Sequence, residues 1–443
     1  MAILVFAASA SAEWKESVLY SFQGGSSDGS IPAGGVIFDK AGNLYGADTS
    51  GGSGGCPDQG CGMVFQLSPP TQKGGAWTET SIYAFRGVTN GGTDGFTPAG
   101  GLIIDGKENL YGTTAYGGDG SCILLGTKAG CGIVYELSPP AEKGGQWTYK
   151  ILYNFQGGHD GYFPSGNLVI DKAGNLYGAT QFGGGKGTTC NVIYGGQCGT
   201  VFELSPPPTK RGKWKEKVLH AFAGDSDGAN PNGGLVLDSE GAIYGTTFAG
   251  GYNCPHHSGQ GCGTVFKLDP PAGKDGAWTE KQLLVFKNGA DGAQPIAGVI
   301  LDAGGSIYGA AEGGTNGCGL VFKLAANGGG RWKDTVLYSF GGSEYYYGPA
   351  VSQIDASGNL YGTTNAGGGE SLQGSVFRLK PPRKGGDWTL FTIHGFSAIP
   401  YGEIPTSVLT FGKAGNLYGT TTQGGTGSGC GFTGCGTVFE IKP

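Results

Sequence analysis

One phrase, Asn-Leu-Tyr-Gly or a near copy, returns seven times along the chain, with its tyrosine at Tyr45, Tyr111, Tyr177, Tyr244, Tyr308, Tyr361 and Tyr418. The seven tryptophans keep step, one per copy: Trp14, Trp77, Trp147, Trp214, Trp278, Trp332 and Trp388. A short unit repeated in this way cannot bury its apolar face alone and must pack against its copies. Length by itself would suggest about three domains. The repeats override it, and a single domain over residues 13–443 is expected.

Each copy reads as four short strands. A tryptophan strand opens on Trp and reaches a phenylalanine always eight residues on, as from Trp77 to Phe85; six residues on stands Tyr, His or Leu. Even offsets share a face of a strand. The opposite-parity residue five positions on is always Leu or Ile (Leu19, Ile82, Leu152, Leu219, Leu283, Leu337, Ile393). Both faces thus read as apolar, as expected of a sheet packed between two others. A Gly-Gly strand (Gly100 to Asp105), a Tyr-Gly strand (Leu110 to Thr114) and a Val-Phe strand (Ile133 to Leu137) complete the unit. One Val-Phe strand position, held by Gln66, Glu203, Lys267, Lys323, Arg378 and Glu440, changes freely and is expected to face water. Asp-x-x-Gly-Asn joins the Gly-Gly and Tyr-Gly strands as a tight hairpin. Ser-Pro-Pro ends the Val-Phe strand, since proline cannot continue a ladder. No segment carries a helical period.

Seven four-stranded antiparallel sheets in one chain predict an all-β fold, a seven-bladed β-propeller. The glycine pairs mark the innermost strand, where seven backbones crowd around one axis, and the tryptophan strand is then outermost. The chain begins with a tryptophan strand and finishes with a Val-Phe strand at Val438 to Ile441. Residues Trp14 to Phe22 are therefore expected to join the last blade and close the ring. A linear solenoid is the alternative.

Composition closes off other classes. Glycine supplies 94 of 443 residues but keeps no three-residue period, and the 22 prolines are too few for collagen. An apolar content of 38%, rich in aromatics, can build a core and argues against disorder. No apolar run approaches the ~20 residues of a spanning helix. A net charge of −6 without a basic block argues against nucleic acid as a partner.

The segment 1–12 is short, apolar and ends in Ala10-Ser11-Ala12 before Glu13. It resembles the end of a secretory signal, although the basic n-region is missing. Ten of the eleven cysteines form close pairs around Gly-rich loops: Cys56/Cys61, Cys122/Cys131, Cys190/Cys198, Cys254/Cys262 and Cys430/Cys435. Pairs recurring at one place in successive repeats predict local disulfides and an oxidising compartment. Cys318 is left over as a free thiol.

The succession GNLYGTT, a Gly-rich loop, GTVFEL and a tryptophan strand ending in LYSF resembles the GloVer (Gloeo/Verruco) tandem-repeat family. The likeness covers essentially all of Trp14 to Pro443. It implies a bacterial secreted or surface-associated protein and lends no catalytic residues, since the family has no assigned activity. Family members often carry a C-terminal sorting anchor; this chain stops at Lys442-Pro443, so a soluble, released monomer is expected. The strand order is also similar to a kelch propeller, an analogy of fold only.

In a propeller the loop leaving the tryptophan strand and the loop between the Tyr-Gly and Val-Phe strands lie on one face. The long variable segments gather there, and a binding site is expected on that face. Five copies carry Asp-Gly-x-x-Pro there, at Asp28, Asp94, Asp160, Asp227 and Asp291. These form either turns in which the carboxylate accepts backbone N–H groups or an acidic collar able to hold calcium; the turn is favoured, and no cofactor or metal is expected. Sites arise more often where repeats depart from pattern. Copy six has Glu344-Tyr345-Tyr346-Tyr347 in place of Asp-Gly, and copy seven has Tyr401 and Glu403. Tyrosine suits stacking on sugar rings or contact with a protein, against the plainer reading of decayed repeats. His159 precedes Asp160 on the same face, and Glu312 replaces a Thr or aromatic position in copy five. His220 and His394 take the packed tyrosine position, while His256 and His257 lie between two cysteines, a weak zinc set. Gly51 to Gly55 matches G-x-S-x-G without the strand-to-helix context of a nucleophile elbow. The leading expectation is a secreted module that binds an extracellular glycan or protein. The alternatives are a polysaccharide-active hydrolase or lyase, with Glu344 and Glu403 as acid and base, and a purely structural surface protein.

Overall fold

The computed structural model describes residues 14–53, 56, 60–88, 93–124, 126–142, 144–185, 198–209, 212–251, 254, 261–273, 276–341, 347–368, 373–397, 400–405 and 408–443. Residues 1–12, Cys190, His256, His257, Glu344, Tyr345 and Tyr346 thus lie outside the described residues.

Seven antiparallel sheets form seven blades. In each, the Gly-Gly strand is innermost, followed by the Tyr-Gly, Val-Phe and tryptophan strands in spatial order. Blade two shows the pattern whole, with strands Gly95–Ile104, Leu110–Gly117, Ile133–Ser138 and Thr148–Asn154. The ring closes as the repeats predict: Lys15–Ser21 pairs antiparallel with Thr437–Lys442, running from Lys15 opposite Lys442 to Ser21 opposite Thr437.

Close backbone approach explains the inner glycines. A Cβ on Gly34 would sit 2.5 Å from the Gly101 nitrogen of the next blade, and one on Gly233 would sit 2.3 Å from the Gly298 nitrogen. Both are shorter than any real Cβ contact, so a side chain there would force the ring open.

The core lies between blades. Its seven apolar clusters each straddle one seam, as where Phe22 and Val438 of blade seven meet Val36, Leu44 and Phe65 of blade one. The phenylalanine eight residues after each tryptophan is fully buried. It packs near edge-on against the aromatic ring of the next blade's Val-Phe strand at 5.0–5.6 Å, from Phe22–Phe65 to Phe286–Phe322. Burying each such ring contributes roughly 1.5–3 kcal/mol, the same at every seam.

The two-sided apolar face of the tryptophan strand arises differently from simple alternation. In all seven blades the ladder skips one residue, and the skipped residue is the invariant Leu or Ile: Leu19, Ile82, Leu152, Leu219, Leu283, Leu337 and Ile393. This β-bulge reverses the alternation. Trp14 therefore packs toward blade six while Leu19, Tyr20 and Phe22 pack toward blade one.

A second expectation is corrected at the Val-Phe position read as water-facing. Glu440 is 6% exposed and the other six residues at this position are half-buried. The position overlies rings of the neighbouring strands, so long side chains lie down on them: the Lys267 ammonium is 5.4 Å from the Tyr244 ring centre and Lys323 is 5.0 Å from that of Tyr308. Glu440 also substitutes for a missing hairpin acid. In blades one to six an aspartate accepts the N–H four residues on and the Tyr-Gly tyrosine hydroxyl, as Asp39 does from Asn43 (2.8 Å) and Tyr45 (3.0 Å). Blade seven has Gly412 at that place. There Asn416 Nδ2 and the Tyr418 hydroxyl donate instead to Glu440 Oε1, at 2.7 and 2.6 Å.

Candidate functional site

On the long-loop face every blade repeats one left-handed residue, strained in all but blade six, where it is glycine. The position before proline in Asp-Gly-x-x-Pro, and its counterparts in blades six and seven, has positive φ: Ile31 (58°), Thr97 (55°), Phe163 (58°), Asn230 (53°), Gln294 (47°), Gly348 (57°) and Ile404 (56°). This left-handed conformation is costly for branched and bulky side chains. A hydrogen bond across the seam offsets it. The Ile31, Thr97, Phe163, Asn230 and Gln294 N–H groups donate to the carbonyls of Cys435, Cys61, Cys131, Cys198 and Cys262 of the preceding blade, at 2.7–3.0 Å. Ile404 donates likewise to Gln373 at 2.9 Å. The backbone is thus pinned identically while the side chain differs from blade to blade.

Around the axis the inner strands enclose a channel of about 470 Å³, lined mostly by glycine, alanine and valine, with Phe163, Ser165, Asn167, Asn232 and Ser352. Among the described residues no charged side chain lines it. Its amides and hydroxyl bind neighbouring protein: Asn167 Oδ1 accepts the Gly101 N–H (2.6 Å), Asn232 Oδ1 accepts from Gln181 (2.9 Å), and Ser165 donates to the Pro231 carbonyl (3.0 Å).

The five loop aspartates turn away from this channel. Asp28 accepts the Tyr20 hydroxyl (2.9 Å) and the Gln23 and Gly29 N–H groups (both 2.7 Å). Asp94 accepts Tyr83, Arg86 and Gly95 and, across the seam, the Tyr149 hydroxyl at 2.7 Å. Asp160 accepts Tyr153 and Gln156, Asp227 pairs with His220 at 3.1 Å and accepts the Ala223 N–H, and Asp291 accepts the Lys287 and Gly289 N–H groups. Each tethers the end of the preceding tryptophan strand, which is the turn reading.

Of the other singled-out residues, Glu312, Cys318 and Tyr347 line one cavity of about 280 Å³, and the rest are dispersed. His159 is exposed on a 3-10 turn, Gly158–Asp160. Tyr347 and Tyr401 are exposed, at 48% and 44%. Glu403 exchanges backbone hydrogen bonds with Gln423, and burial raises its carboxyl pKa. His220 and His394 pack edge-on against Phe222 and Phe396 as expected of the tyrosine position. His394 has no acid to bond, its Nε2 is unpartnered, and burial pushes it down to about 4.

Cys56–Cys61, Cys122–Cys131, Cys254–Cys262 and Cys430–Cys435 are disulfides within single loops, Cys198 is disulfide-bonded, and Cys318 is free. The bridges sit over the exit of the tryptophan strand. A Cβ on Gly24 would meet Cys430 Sγ and Cys435 Sγ at 2.8 Å, and one on Gly87 would meet Cys56 Sγ at 3.0 Å.

A feature that sequence reading missed is an aromatic strip at blades two and three. Phe96 stacks on Tyr116 at 5.1 Å, Tyr116 meets Phe163 edge-on at 5.2 Å, and Phe163 meets Phe182 at 5.9 Å, with Tyr162 beyond. All five rings are half-exposed, and Phe163 also lines the channel. Its signal in the sequence is slight: aromatics at Tyr116 and Phe182, just past the Tyr-Gly strand, where other copies have Ser50, Ala249, Ala366 or Gln423.

Among family models, that of the Gloeobacter/Verrucomicrobia repeat matches residues 4–188, 121–274 and 254–443. No curated protein matches the chain. Similar solved structures include a gluconolactonase from Xanthomonas campestris (16% identity over 78% of this chain and 84% of that one, TM-score 0.37). A triple arginine mutant of AofleA from Arthrobotrys oligospora is another (10% identity, 86% and 90%, TM-score 0.41). With TM-scores below 0.5 these likenesses carry no functional implication.

Proposed function

This chain belongs to the Gloeobacter/Verrucomicrobia repeat family, and on that premise we propose that it is a secreted binding module whose long-loop face takes an extracellular glycan or protein. One observation carries the reading: in six of the seven blades, side chains that vary stand on a backbone held by the same cross-seam hydrogen bond, and at blades two and three they make a half-exposed aromatic strip at the channel mouth. Half-exposed aromatic rings suit stacking on sugar rings. Four disulfides within the loops of that face fit an oxidising compartment, and no described helix is long and apolar enough to cross a membrane.

A glycan array run beside a panel of polysaccharide-cleavage assays and a protein-capture experiment tests the proposal. Binding of a glycan or protein, weakened about tenfold or more by Phe163→Ala or Tyr116→Ala with the melting temperature nearly unchanged, is the expected result. No ligand in either format, or cleavage in place of binding, overturns it.

A further inference from the structure

Two seams of the ring are built from the same residue types, with one difference. At the seam of blades three and four, His220 stands six residues after Trp214, Glu280 two after Trp278, and Asp227 in the loop that follows His220. At the seam of blades six and seven, His394 and Glu16 keep those offsets from Trp388 and Trp14, but Tyr401 takes the place of the aspartate. These positions converge at a seam. Between blades one and two, Tyr149 at the Glu16 offset donates to the loop carboxylate of Asp94 at 2.7 Å. It also stacks on Tyr83, at the His394 offset, with ring centres 4.0 Å apart.

The frames of the two seams coincide. The Phe222 N–H donates to the Gly199 carbonyl at 3.0 Å and the Phe396 N–H to that of Gly374 at 2.9 Å. Asn230 and Ile404 make the cross-seam bonds at 2.7 and 2.9 Å, with φ of 53° and 56°. The imidazoles lie alike, 4.7 and 4.8 Å from Phe222 and Phe396 at 80° and 82°. Their polar contacts do not. His220 Nε2 is 3.1 and 3.2 Å from the two oxygens of Asp227, which also accepts the Ala223 N–H at 2.7 Å. At the other seam His394 Nε2 and both oxygens of Glu16 are buried without a partner. Ser397, in the place of Ala223, has no aspartate to receive its N–H. Glu403, the acid of that loop, does not reach the imidazole, since Nε2 is unpartnered. Buried polar atoms left so are costly and call for a specific explanation.

We propose that the seam of blades six and seven binds a small monocarboxylate of acetate size, which accepts from His394 Nε2, the Ser397 N–H and the Glu16 carboxyl. Acetate is the aspartate side chain without its backbone, so it supplies there what Asp227 supplies three blades away. Burial pushes the Glu16 carboxyl up to about 7, and in its neutral form it is a donor. Glu280 holds the same place beside Asp227, and its carboxyl too is raised. His394 and Glu16 are half-buried, while Ser397 and Tyr401 are exposed. The place therefore lies one layer below the surface and favours a group no wider than the aspartate. Because Glu16 belongs to the strand that closes the ring, the bound anion ties that strand to blade six. The site is independent of any ligand on the aromatic strip.

Magnetic-resonance titration of the His394 imidazole in the intact protein, its signal assigned by loss in His394→Phe, tests the site. Burial pushes this imidazole down to about 4. In sodium acetate it should move toward the ordinary ~6.5, while sodium chloride at equal ionic strength leaves it in place. The melting temperature of the parent should rise in acetate over chloride, and that of His394→Phe should not. Tyr401→Asp brings the carboxylate in on the chain itself. Its His394 should titrate at the raised value in chloride alone and no longer respond to acetate. Methyl glucuronide carries the same group on a ring; a shift at lower concentration than acetate needs assigns the site to an acidic sugar and overturns the acetate-sized reading. An imidazole that titrates alike in acetate and chloride overturns the site whether or not the variants fold. So does a folded Tyr401→Asp whose His394 keeps the parent value or still answers to acetate.

Discussion

In blade one, Asp48 stands where blades two, three, four, six and seven have a buried threonine. Four of those threonines donate to the carbonyl two residues on, as Thr180 does to Phe182 and Thr247 to Ala249, both at 2.9 Å. Asp48 is fully buried, neither oxygen has a hydrogen-bond partner, and burial with Asp28 and Glu79 nearby raises its pKa well above the ordinary carboxylate value. Burial therefore disfavours its charged form. Asp48→Thr restores the repeat's own solution and should raise stability by roughly 1–3 kcal/mol, the cost of an unsatisfied buried polar group. Urea denaturation of the variant against the parent checks this; an unchanged or lower midpoint refutes it. The residue was visible in the sequence as a departure from Thr, but its burial was not, because it depends on Gly29 of the paired strand leaving room for the carboxyl.

At the scale of the strand and the loop, the repeat made most of the fold legible. Tryptophan, the phenylalanine eight residues on and the paired glycines report seam packing and axial crowding directly, because those demands are the same at all seven seams. The bulge was hidden for a physical reason: alternation is counted on a regular strand, and one looped-out leucine shifts every later side chain to the other face. The pre-proline positions were hidden too. Nothing in Ile31 or Phe163 announces a left-handed backbone, which is imposed by a carbonyl on the neighbouring blade. The disulfide loops follow from the same comparison. In blade five Cys318 is free and Asn316 Nδ2 donates to the Ser339 carbonyl at 3.2 Å, so the strand exit is held there without a bridge and each bridge acts as a local stiffener. Replacing Cys254 and Cys262 together by serine should cost about 2–2.6 kcal/mol by loop-closure entropy and leave the far-ultraviolet spectrum unchanged. Loss of folding would show that the bridges are needed to assemble the ring.

The whole molecule carries a pH dependence built into its seams. Two residues after tryptophan stand Glu16, Glu79, Glu216, Glu280 and Asp334. Each has at least one buried oxygen without a partner, and burial pushes the four glutamates up to about 7. Glu79 faces Asp28, Asp48 and Tyr20; Glu216 faces Asp160 and Tyr153; Glu280 faces Asp227 and His220; Asp334 faces Asp291. Blade two shows what the position favours, since the Tyr149 hydroxyl there donates a hydrogen bond to Asp94. A protonated glutamate can do the same. Folded pKa values raised above the unfolded ones mean that the folded ring binds more protons, so this stabilisation is full below about pH 4.5 and is lost as pH rises through about 7. The melting temperature should be higher at pH 5 than at pH 8, and Glu216→Gln together with Glu280→Gln should flatten the difference. A melting temperature that rises across that interval excludes the scheme.

The joint between Lys15–Ser21 and Thr437–Lys442 has a consequence in time. A ribosome adding ~5–20 residues per second needs roughly twenty seconds to a minute and a half to travel between them. Throughout that interval the early strand waits with the edge that pairs with Thr437–Lys442 open and Trp14 uncovered, while the blades in between can stack in order as each emerges. Distance along the chain is a minor obstacle, because closure entropy grows only logarithmically with loop length. The hazard is a neighbour's loose edge arriving first. A chain built this way benefits from being kept unfolded until synthesis has passed residue 442, which is the condition that transport across a membrane in extended form imposes.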